Sequence, residues 1–146
     1  MIKKTSLAFA IALFIAFSAY SQHYCPERDF MAEPVAGRAV RIIGCLGNNL
    51  TVRIPPTIQG LPVIYIGDRA FRQRNLINVI IPESASSIGQ EAFSDNHLIN
   101  VTIGSNVTSI GAFTFRNNQL TRVTIPNSVI HIGRGAFDTR VIVTCN

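Results

Sequence analysis

Lysine disappears from the chain after residue 4. The only two, Lys3 and Lys4, sit in a leader expected to be removed. Without them 11 arginines face 8 acidic residues, a net +3 in place of the whole chain's +5. Scattered arginines do not imply nucleic acid; they are merely compatible with anionic partners. Histidine is as scarce: His23, His97 and His131 show no metal-ligand spacing. The acidic residues Asp68, Glu83, Glu91, Asp95 and Asp138 stand singly, without the paired carboxylates of a hydrolase. There is no glycine-rich phosphate loop and no serine in a Gly-x-Ser-x-Gly context. These absences argue against an enzyme, and no metal or cofactor is expected.

Long hydrophobic runs are also lacking, with one exception. Leu7 to Phe17 is uncharged and apolar, follows the basic Lys3-Lys4, and precedes Ala19-Tyr20-Ser21. That layout predicts a secretory signal peptide over 1–21, the run being short for a membrane span. No membrane insertion is expected after cleavage.

Cysteine is limited to Cys25, Cys45 and Cys145. In an exported chain an odd count implies one bridge plus a free thiol, or a partner in another chain. Cys25 and Cys45 both precede the repeats, so a bridge locking the leading end is the preferred pairing. It leaves Cys145 for an intermolecular contact, and three reduced structural thiols are the alternative. Lipid attachment at Cys25 is disfavoured by Gln22-His23-Tyr24, which lack the apolar and small residues of such a signal.

What the chain has in abundance is repetition. From residue 66 it repeats every 22 residues without a gap. Ile66-Gly67 returns as Ile88-Gly89, Ile110-Gly111 and Ile132-Gly133. Ala70-Phe71 returns as Ala92-Phe93, Thr114-Phe115 and Ala136-Phe137. Leu76, Leu98 and Leu120 form a further column, as do Val79, Val101 and Val123, and Ile81, Ile103 and Ile125. Such a period marks stacked repeats. Residues two apart, such as Val79 and Ile81, point to one side of a short strand, and the Pro or Gly that follows ends it. Ile88 and Phe93 fill the core from the other side, and glycines such as Gly89 allow a sharp bend or close backbone approach. One strand per coil cannot form hairpins, so successive strands pair in parallel. The expected fold is an α/β-type repeat solenoid, with one short parallel strand per 22-residue coil and largely β or irregular structure elsewhere.

The unit Leu-x-x-Val-x-Ile-Pro followed by Val-x-x-Ile-Gly-x-x-Ala-Phe resembles the BspA-type (treponemal-type) leucine-rich repeat. The resemblance covers residues 40 to 143, including the entry segment Leu50 to Phe71. It implies a secreted or surface-exposed binding protein, of a kind often linked with adhesion to host proteins or other cells; a periplasmic location is the alternative. The array is shorter than in many members, and no sorting signal or anchor is expected after Thr144-Cys145-Asn146.

The ends are expected to be caps, as solenoid ends expose core and edge. The division is a signal peptide at 1–21, a partly irregular leader at 22–40 and the solenoid at 41–146. Val52 aligns with Val79 at a spacing of 27, which places an insertion in Pro55 to Val63. At the far end, Val141-Ile142-Val143 reads as a closing strand of a truncated coil, aligned through Val141.

If Val79 and Ile81 point inward, their neighbours point out. The first outward column is Thr51, Asn78, Asn100, Arg122 and Arg140. The second is Arg53, Ile80, Thr102, Thr124 and Ile142. Arg53, Asn78, Asn100, Thr102, Arg122 and Thr124 are therefore the candidate ligand-binding residues, for a protein or glycan, with a solvated strand face as the plain alternative. A weaker candidate set lies on the turns: Arg72, Arg74, Asp95 and Arg116. His97 and His131 fall in surface columns. The sequons at Asn49, Asn100 and Asn106 are incidental in a bacterial chain, which the leader suggests. The expected role is an exported binder; a structural or assembly protein, or a periplasmic protein-binding regulator, are the alternatives.

Overall fold

The computed structural model describes residues 25–146; the expected signal peptide lies outside them. The chain is a β-solenoid. The only helix among the described residues is a single 3-10 turn, Glu27–Asp29, so the α/β label is corrected to β. Each coil carries two short strands and a turn segment. Residues of the columns read above form one core, with Phe71, Phe93, Val79, Ile81, Ile88 and Leu98 almost fully buried.

The coil begins after a cap. Strands β1 (Phe30–Val35) and β2 (Ala39–Cys45) make an antiparallel hairpin turned by Ala36 and Gly37, both at positive φ. The expected leader thus holds a hairpin from Phe30 onward, with a register shift between Met31 and Ala32. Strand β2 pairs in parallel with β5 (Leu61–Ile66), so the boundary drawn at residue 41 falls inside a strand. Cys25 and Cys45, both buried, are joined in a disulfide, tying the start of the described chain to the end of β2.

Strand β3 (Thr51–Arg53) pairs in register with β6 (Asn78–Ile80), Val52 opposite Val79. The longer connection between them carries a small antiparallel hairpin. It consists of β4 (Thr57–Ile58) and the start of β5, with Gln59 and Gly60 in the turn at positive φ. Two residues with φ > 0 suit the twist of a tight hairpin.

Two strand ladders run along the stack. One continues β5 through β7 (Ser87–Ile88), β9 (Ser109–Ile110) and β11 (His131–Ile132), all parallel. The other pairs β3, β6 and β8 (Asn100–Thr102), then stops. Strand β10 (Arg122–Ile125) pairs instead with β12 (Ile142–Cys145). The expected unbroken stack is therefore interrupted between β8 and β10.

The closing strand also sits two residues later than expected. Val143, not Val141, pairs with Val123, and Ile142, not Arg140, pairs with Arg122. The Val141 N–H donates to the Asp138 carbonyl at 3.0 Å. That turn uses up residues before the strand begins.

On the third side of the coil the phenylalanines stack. Phe71, Phe93, Phe115 and Phe137 lie ring over ring with centroids 5.2 to 5.5 Å apart, and Phe30 of the cap meets Phe71 edge-on. Coils approach closely at the glycine column: a Cβ on Gly111 would stand 2.6 Å from Gln90 N and from Gly89 C. Close approach, rather than an unusual φ, demands glycine there.

Candidate interaction surface

The outward residues of the β3–β6–β8 ladder are where strand alternation puts them. Asn78 Nδ2 donates to Thr51 Oγ1 at 3.2 Å, and Asn100 Nδ2 donates to Asn78 Oδ1 at 3.0 Å. These amides form a short polar chain across β3, β6 and β8. Such same-face pairs stabilise a sheet as well as presenting polar groups.

At the interruption the surface changes character. Strands β8 and β10 lie side by side without ladder bonds, and a recess of about 470 Å³ opens there. Asn100, Thr102, Arg122 and Thr124 line it, with Ile99 and Pro126 as apolar neighbours. Four of the six candidate residues thus meet at one place. Asn78 stays in the amide chain and Arg53 at the edge of β3, away from the recess. The expected arginine at the far end is absent, since Ile142 occupies that register position.

The turn face carries the charged network. Arg72 donates through Nε to Asp95 at 2.8 Å and through Nη1 to Glu91 at 2.6 Å, while Arg69 reaches Glu91 at 3.2 Å. Asn117 Nδ2 donates to Asp95 at 2.7 Å. The Arg69 guanidinium, then the Gln90 amide, hold the Glu91 carboxyl below its ordinary range. Asn117, then Arg72, do the same for Asp95. A hydrogen bond to the ionised form favours that form. Arg74 turns away from this network and donates to the carbonyls of Cys45 and Gly47. It holds the capped end.

Sequence reasoning missed Asn96 and Asn118. The buried Asn96 amide donates to the carbonyls of Phe71 and Phe93 at 2.8 and 2.9 Å, and its oxygen accepts from the N–H groups of Arg74 and Leu76. Asn118 repeats the pattern one coil on, with Phe93, Phe115 and Leu98. Their recurrence 22 residues apart was the available signal. His97 and His131 are exposed, and Gln119 Nε2 lies 3.4 Å from His97 Nδ1. No group of three or more metal-ligating side chains occurs among the described residues.

These coils, their period and their columns match the BspA type leucine rich repeat region in six copies over residues 52–145. The chain belongs to this family. A leucine-rich-repeat protein from Bacteroides capillosus has a similar fold, with 25% identity and a TM-score of 0.74, over 81% of this chain and 94% of that one. The T. pallidum leucine-rich-repeat protein gives 27% identity and 0.67, over 79% of this chain and 66% of that one. A third, from Bacteroides ovatus, gives 25% and 0.59, over 80% of this chain and 39% of that one. No curated protein matches the chain. Among the described residues no helix is long and apolar enough to cross a membrane.

Proposed function

We propose that this BspA-type leucine-rich-repeat chain is an exported, non-catalytic binding module that holds a protein or glycan on its strand face. The observation that carries the reading is the recess between β8 and β10. It gathers Asn100, Thr102, Arg122 and Thr124 around a break in the ladder. Amide, hydroxyl and guanidinium groups supply donors and acceptors together, and Ile99 and Pro126 supply apolar contact. Its volume is in the range of small-ligand sites. Membership of a repeat family whose members are typically surface proteins, and the signal-like leader, support export. The test is binding of the mature chain and of Arg122→Glu to a panel of matrix proteins and glycans. A ligand retained by the parent and lost by the variant supports the reading; one held equally by both contradicts it.

One observation favours assembly as the second reading. Cys145 is free and exposed, beside exposed Ile142 and Val143. A covalent dimer on a non-reducing gel, abolished by Cys145→Ser, would support it.

A further inference from the structure

A second recess lies on the turn face, away from the strands. It encloses about 430 Å³, and three guanidinium groups, those of Arg69, Arg72 and Arg116, border it against the two carboxylates of Glu91 and Asp95. One positive charge is left over. Its position follows from the pairing: Arg69 and Arg72 are bonded to the carboxylates, whereas Arg116 has no ion-pair partner among the described residues. The Arg116 guanidinium instead lies 5.3 Å over the ring of Phe113, a cation–π arrangement that leaves its donors open to an anion.

Two neighbours shape the recess. Ser94, 3% exposed, underlies it, with its hydroxyl closed off from solvent. Phe113 forms another part of the wall, at φ 57. In the next coil the same column holds Gly135, over which the Phe113 ring edge rests. Positive φ recurs in this column at Arg69, Glu91 and Gly135 as well, so the backbone conformation belongs to the repeat and Phe113 is set apart by its side chain.

We propose that this recess binds a carboxylate-bearing sugar residue, its carboxylate on Arg116 and its hydroxyls on Asp95 and Glu91. Phe113 takes the apolar face of the ring. A sugar acid suits this set because it brings both an anion for the free guanidinium and several hydroxyl donors for the carboxylates. An acidic peptide side chain brings the anion without the hydroxyls. The site is separate from the strand-face recess and does not depend on it.

The test is ligand-observed NMR and calorimetry on the mature chain, with glucuronic, galacturonic and N-acetylneuraminic acids as methyl glycosides. Methyl glucoside, methyl galactoside and a hexaglutamate peptide serve as comparisons. At least one acidic glycoside should bind saturably, at least tenfold more tightly than the neutral sugars and the peptide. Arg116→Gln should remove that preference. Phe113→Gly, which suits the backbone there and should fold, should weaken acidic and neutral sugars alike, and Arg38→Gln on the cap hairpin should change neither. The proposal is overturned if no acidic glycoside saturates at millimolar concentration, if hexaglutamate binds as well, or if Arg116→Gln keeps the preference. Loss on Arg122→Glu but not on Arg116→Gln would move the sugar to the strand face.

Discussion

The rings of Phe93 and Phe115 lie parallel, their centroids 5.5 Å apart and their planes 4° from each other. Both are buried to within 1% of full enclosure. Phe93→Ala removes the middle of the stack and opens a cavity between two coils, with an expected loss of about 3–5 kcal/mol. Urea denaturation of the mature chain checks it. A near-silent result would break the column assignment.

Asn96 is the polar counterpart of that stack. Removing its amide in Asn96→Ala leaves two backbone N–H groups without their acceptor and the Phe71 carbonyl without its donor, while the Phe93 carbonyl keeps Asn118. Each orphaned buried group costs about 1–3 kcal/mol, so a loss of at least about 2 kcal/mol is expected by the same measurement. Asn118→Ala, at a more open position, should cost less.

Much of this architecture was legible because identity recurs at one period. The Ile, Phe, Leu and Val columns announce themselves by repetition, and strand alternation then assigns Asn100 and Arg122 to the surface. Asn96 was not legible in the same way: its role depends on backbone groups of a neighbouring coil that residue type does not reveal. The leader hid its hairpin because Pro34 within β1 argues against a strand, although Ala36-Gly37 makes the turn. The last coil was misaligned by two residues because the Asp138–Val141 turn carries neither Pro nor Gly. Nothing in the residues of β8 and β10 signals that the ladder opens between them, so the recess itself came only from the structure.

The cap should depend on its disulfide. Cys25 and Cys45 are 20 residues apart, and a cross-link closing a loop of that size contributes about 3 kcal/mol in the chain-entropy account. The double variant Cys25→Ser, Cys45→Ser should lose about that much in thermal unfolding. Cys145→Ser should lose almost nothing.

The turn-face ion pairs give a pH dependence. Glu91 and Asp95 have folded pKa values below their ordinary ones. Their contribution is therefore fully present above the unfolded carboxylate range and is lost as pH falls through the depressed folded values. The mature chain should melt higher than Arg72→Gln at pH 7, and the gap should begin to narrow near about pH 4 and close once both carboxyls are protonated in the folded chain. A gap that persists in acid would assign Arg72 a packing role.

The most direct measurement of the central claim is protease treatment of intact cells producing the full chain, with the culture medium assayed beside them. An outward-facing binder predicts loss of the protein from intact cells on digestion, or its recovery from the medium, in a form starting at Gln22. Protection until the envelope is broken would contradict the surface-binding account and favour a periplasmic partner.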